Sequence, residues 1–140
     1  MTTEETRTVL ESSPLRAVAP AVIERLLEAS EPILVARGHC IYTTGDASDN
    51  SLCLILSGEV AIQKESQTIK TVGRGAVVGE SALIRNEGQR TATVIVESES
   101  AEYVKWILAV PEFAKGQIDE ILHALGGKAW EYFLEEESGV

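Results

Sequence analysis

One stretch of this sequence has residues of the types and spacing that can hold an anion. Gly79, Glu80, Ser81, Ala82 and Leu83 follow Val78, and Arg90, Thr91 and Ala92 come after the polar run Arg85-Asn86-Glu87-Gly88-Gln89. A strand ends in Gly79, a single helical turn fits at Ser81 to Ile84, and Arg90 opens the next strand. The start of a short helix presents backbone N–H groups without a counter-charge, and the Ala82 amide is placed to be one of them. Gly79 permits positive φ and a close approach of ligand to backbone, while Ala82 keeps the wall low. Arg90 can make a forked, charge-assisted contact. Glu80 supplies an acceptor for a hydroxyl. The set suits a compact phosphate next to a sugar hydroxyl. Loss of either charged anchor would cost roughly 1.5–3 kcal/mol, about tenfold or more in affinity. Taken alone, Glu80 and Arg90 would read as a strand-to-strand ion pair of little worth, so the constellation carries the reading.

The surrounding elements must place that stretch. Residues 1–12 are polar and read as a flexible arm. Ser13-Pro14 has the form of a helix start, with Ser as cap and Pro at the first helical position. From Pro20, the spacing of Val22, Ile23, Leu26 and Leu27 predicts an amphipathic helix to about residue 29, giving N-terminal helices over 13–30. Residues 32–107 alternate short β-prone runs with turns at Gly38, Gly45-Asp46, Ser57-Gly58, Gly73 and Gly75. They predict an eight-stranded antiparallel β-roll or jelly roll, mainly β with flanking helices. Ile118, Ile121, Leu122 and Leu125 restore a helical period, and Trp130, Phe133 and Leu134 continue it, for C-terminal helices over 111–134. Gly126-Gly127 is expected to interrupt them, at about 2 kcal/mol of helix propensity relative to two alanines. Residues 135–140 form an acidic tail.

Composition excludes several classes. The chain has 140 residues, the length of one domain, and a formal net charge of −10. Nucleic-acid binding needs a basic footprint, which this balance does not supply. The sequence has no long apolar run for a membrane span and no leader pattern, so a cytoplasmic location is expected. Cys40 and Cys53 are not expected to form a disulfide, and Cys53 reads as a buried small hydrophobe. Two scattered histidines, His39 and His123, give no metal cluster and no Cys-His or Ser-His-Asp arrangement. The expectation is therefore no enzyme, no metal and no cofactor.

Gly79-Glu80-x-Ala82-Leu83, with Arg90-Thr91-Ala92-Thr93-Val94 ten residues beyond the Glu, resembles the phosphate-binding cassette of cyclic-nucleotide-binding domains. Such domains occur in catabolite activator protein, in regulatory parts of cyclic-nucleotide-dependent kinases and in cyclic-nucleotide-gated channels. Ser13-Pro14-Leu15, Gly38, Gly45-Asp46 and Leu54-Ile55-Leu56-Ser57-Gly58-Glu59-Val60 extend the resemblance over residues 12–125. It implies that Glu80 takes the ribose 2′-hydroxyl, that Arg90 and the Ala82 amide take the cyclic phosphate, and that Thr91 sits beside phosphate or base. The ligand would be cAMP or cGMP. Val78 departs from the Phe that many members carry before the Gly-Glu pair. Members close the pocket from a C-terminal helix, which makes Trp130 and Phe133 candidates for the lid here.

The implied function is a regulatory sensor that binds a cyclic nucleotide and signals by moving its C-terminal helix to an effector protein or attached domain. With some 30 residues after the last strand, no DNA-binding helix-turn-helix is expected in this chain. The alternative is a nucleotide-blind roll that acts as a protein-interaction scaffold.

Overall fold

The computed structural model describes residues 1–80, 83 and 88–138, with side chains through residue 126. Its element order is α1 (Thr3–Glu11), a 3-10 turn (Pro14–Ala17), α2 (Pro20–Glu28), β1 (Ile33–Ala36), β2 (Cys40–Tyr42), β3 (Ser51–Ser57), β4 (Val60–Lys64), β5 (Gln67–Val72), β6 (Val77–Val78), β7 (Thr93–Val96), β8 (Ser100–Ile107) and α3 (Lys115–Ser138). Two antiparallel four-stranded sheets, β1-β8-β3-β6 and β2-β7-β4-β5, make up the roll. The mainly-β fold with flanking helices is thus the one the sequence predicts.

The apolar run of β3 has a simple cause. Leu52, Leu54 and Leu56 face the helices, where they join Leu10, Leu26, Ile121 and Leu125. Cys53 and Ile55 face the other sheet, where they join Val60, Val94, Val96 and Tyr103. A strand covered on both faces needs an unbroken apolar run rather than alternation.

Two expectations are corrected. Residues 1–12 are not a loose arm: Thr3–Glu11 is helical, with a capping box between Thr2 and Glu5, and it buries Val9 and Leu10. The cap satisfies two otherwise orphaned donors, and the two apolar side chains tie the helix to the core. Nor does Gly126-Gly127 interrupt the C-terminal helix, because α3 runs unbroken through the pair to Ser138. Glycine weakens a helix without removing an N–H donor, and the fully buried Ile121 and Leu125 anchor the turns before it.

Candidate functional site

The predicted anion-holding stretch begins directly after β6, the edge strand of its sheet. Its first fixed point is Gly79, with φ of +91°. A Cβ there would fall 2.8 Å from the ring of Tyr42 and 3.1 Å from Nη1 of Arg90. The positive φ is the one the sequence predicts at Gly79, and the side chains that approach its backbone are those of Tyr42 and Arg90. Glu80 follows in helical conformation and is half-buried. Leu83 packs on the helix-side core. Ser81, Ala82 and Ile84 lie outside the described residues, and with them the predicted amide of Ala82; so do the side chains of Trp130 and Phe133.

Arg90 is anchored by backbone and side chain to the loop between β2 and β3. Its N–H donates to the Asp46 carbonyl at 2.8 Å, and its carbonyl accepts from Gly45 N–H at 2.9 Å. The residue is 5% exposed. Its guanidinium lies over the Tyr42 ring, 3.8 Å from Cζ to the centroid, a favourable cation–π placement. Nη1 donates to the Gly79 carbonyl at 3.1 Å. Nη2 donates to Asp49 Oδ1 at 2.9 Å and to the carbonyl and Oγ of Ser51, each at 3.0 Å. Thr91 and Ala92 follow, both half-buried.

Asp49, Ser51, Tyr42 and Lys105 thus complete the site, and sequence reasoning did not find them. They come from a loop and three strands, brought to Arg90 by sheet packing. Asn50 holds a positive φ of 61°, a conformation Asn tolerates better than most residues, and this bend sets Asp49 just before β3. One signal for Lys105 was legible: in β8 it falls in the inward register with Ala101 and Tyr103, an unusual place for a cation.

Hydrogen bonding in the cluster runs one way. Ser51 Oγ donates to Asp49 Oδ1, so Tyr42 OH, 2.8 Å from the same Oγ, donates to it. The Cys53 thiol, 3.3 Å from Tyr42 OH, is then the donor at the far end. Burial pushes the Cys53 thiol up to about 11 and raises the Tyr42 phenol further above its ordinary value. Both therefore stay protonated at neutral pH, as the chain of donors requires. Burial also works to raise the Asp49 carboxyl, but hydrogen bonds from Ser51, Lys105 and Arg90 outweigh it and hold the group well below the usual carboxylate range. The cluster's carboxylate is therefore charged, and the guanidinium sits between it and the Gly79 backbone.

Val78, the departure from the resemblance, is buried between the sheets. Among the described residues, no three His, Cys, Asp or Glu side chains group as metal ligands, and no helix is long and apolar enough to cross a membrane.

Comparison with known proteins places the domain. The family model for the cyclic nucleotide-binding domain matches residues 32–104, just over half of the chain. A search of curated proteins finds no match. Among solved structures, the regulatory domain of Toxoplasma gondii PKA with cAMP superposes with a TM-score of 0.70 at 22% identity, over 95% of this chain and 50% of that one. Thermus thermophilus catabolite activator protein gives a TM-score of 0.71 at 22% identity, over 89% of this chain and 60% of that one. The regulatory subunit of a cAMP-independent protein kinase A from Trypanosoma cruzi, bound to guanosine, gives 0.68 at 24% identity, over 74% of this chain and 37% of that one. This chain thus spans between about a third and two thirds of the length of these three structures. The chain belongs to the family of cyclic nucleotide-binding domains.

Proposed function

We propose that this domain binds a cyclic nucleotide, cAMP or cGMP, at the 79–92 segment, and that it acts as a regulatory, non-catalytic module without a cofactor. The observation that carries the reading is the buried Arg90, locked onto the carbonyl of Gly79, the residue before the carboxylate-bearing Glu80. A preorganised guanidinium loses little freedom when it meets a phosphate. Glu80 takes the ribose 2′-hydroxyl, Arg90 and the Ala82 amide take the cyclic phosphate, and Thr91 lies against phosphate or base. The solved neighbour with cAMP supports this ligand class.

Signalling passes from the segment to α3. In support, Leu83, three residues beyond Glu80, packs on the core cluster that contains Ile121 and Leu125 of α3. Ligand moves α3 only to the extent that it prefers one placement of this shared cluster. Trp130 or Phe133 closes over the base, and the effector is a protein or attached domain that senses α3.

One observation favours a second reading. Arg90 already donates to Gly79, Asp49 and Ser51, so the roll is self-contained and can serve as a nucleotide-blind scaffold. Ligand-dependent melting separates the two. A ligand that binds only the folded state at a hundredfold above its Kd adds about 2.7 kcal/mol of stability. The expected result is a concentration-dependent rise in Tm with cAMP or cGMP that guanosine does not match. A Tm unmoved by millimolar amounts of either cyclic nucleotide supports the scaffold. A rise with guanosine alone moves the ligand class to nucleosides, as in the Trypanosoma cruzi neighbour.

A further inference from the structure

A carboxylate bound to the very guanidinium that is to receive a phosphate is a cost to the site, since it cancels the charge the ligand needs. Asp49 Oδ1 takes that position on Arg90 at 2.9 Å. Its other oxygen, Oδ2, is held by Lys105 Nζ at 3.1 Å. Lys105 lies on the inward register of β8 with Ala101 and Tyr103, both buried between the sheets. Its Nζ is 5.5 Å from the centroid of the Tyr42 ring that Arg90 also covers. As a structural choice this is poor: a half-exposed ion pair is worth little, and an apolar side chain suits an inward register better.

We propose that Lys105 is the charge-compensating residue of the anion site: by holding the outer oxygen of Asp49 it offsets the carboxylate on Arg90 and leaves the cluster one positive charge in excess. Without Lys105 the pair of Arg90 and Asp49 is neutral, in a chain of net charge −10. Lys105 acts through Asp49 and Arg90 and is a positioning and electrostatic residue, with no contact to ligand required. Asp49 sets the direction of the guanidinium, and Lys105 restores the field. The inference rests on the cyclic-nucleotide reading above.

The test is calorimetric titration with cAMP and cGMP of the wild-type protein, Lys105→Gln, Lys105→Arg, Asp49→Asn and the double variant Asp49→Asn/Lys105→Gln, each first shown to melt cooperatively. At low salt Lys105→Gln weakens binding about three- to tenfold, the scale of one unit charge at a partly exposed site. At about 0.5 M salt the deficit shrinks, because screening acts within a few ångströms there. Lys105→Arg keeps wild-type affinity, Asp49→Asn binds as tightly as wild type or more so, and the double variant recovers what Lys105→Gln lost. Wild-type affinity in Lys105→Gln at low salt overturns the inference and leaves the binding reading standing. So does a loss that persists at high salt, a double variant no better than Lys105→Gln, or weakened binding in a folded Asp49→Asn. Wild-type protein that binds neither nucleotide overturns the binding reading, and this inference with it.

Discussion

A guanidinium with one face on Tyr42 and its N–H groups on Gly79, Asp49 and Ser51 has little room to swing. Its environment dictates which substitutions are informative. Arg90→Ala would leave the Asp49 carboxylate and the Ser51 carbonyl without their buried partner, so lost binding would be confounded with lost stability. Gly79→Ala forces a side chain into positive φ and against Tyr42 and Arg90. We expect it to destabilise the fold by about 1–3 kcal/mol, read by urea denaturation, and to displace Arg90. The same cluster sets the pH response. Asp49 has a lowered folded pKa, so its contribution is full above the unfolded value of about 3.9 and is lost as pH falls below it. Cys53 has a raised one, so the unfolded chain gives up its proton first, and stability falls as pH rises from about 8.5 towards 11. The slope from Cys53 is at most about 1.4 kcal/mol per pH unit, and Cys53→Ala should flatten it in melts at pH 7.5 and 9.5. The candidates Gly79, Glu80 and Arg90 could be picked out because they sit within one short stretch. Asp49, Ser51, Tyr42 and Lys105 were not, because only the sheet pairing brings them to Arg90.

At the level of elements, local signals succeeded where packing did not compete with them. Ser13 caps the turn that Pro14 opens, and the spacing of Val22, Ile23, Leu26 and Leu27 gave α2 and its buried face. The first helix was missed although Thr2 and Glu5 spell a capping box, because its polar composition outweighed one buried pair. Deletion of residues 1–12 therefore distinguishes a helix from an arm. Val9 and Leu10, fully buried, contribute about 1.5–3 kcal/mol each, so the truncated protein should melt several degrees lower, whereas loss of a loose arm would leave Tm unchanged. The glycine pair in α3 was legible as a weak point, but the weakness did not become a break. Gly126→Ala should raise helix stability by up to about 1 kcal/mol. If α3 must move to signal, the same substitution should also change the coupling between ligand and effector, measured by effector affinity with and without nucleotide.

For the molecule as a whole, a formal charge of −10 surrounds the site proposed to receive an anion. Long-range electrostatics oppose an anionic ligand, so on the proposed reading affinity comes from preorganised contacts at Arg90, Glu80 and the backbone, with a weak dependence of association on steering. The fold class was readable from the rhythm of short strands and glycine turns, while the order β1-β8-β3-β6 and β2-β7-β4-β5 follows from pairings distant in sequence. The most direct test of the account is calorimetric titration of cAMP and cGMP into the wild-type protein and into Glu80→Ala, which removes the proposed hydroxyl acceptor and keeps Gly79, Asp49, Ser51 and Tyr42 around Arg90. The account predicts binding of at least one cyclic nucleotide at about one per chain, weakened about tenfold or more in Glu80→Ala. No heat from either nucleotide with a cooperatively folded protein, or equal binding in the variant, would contradict it.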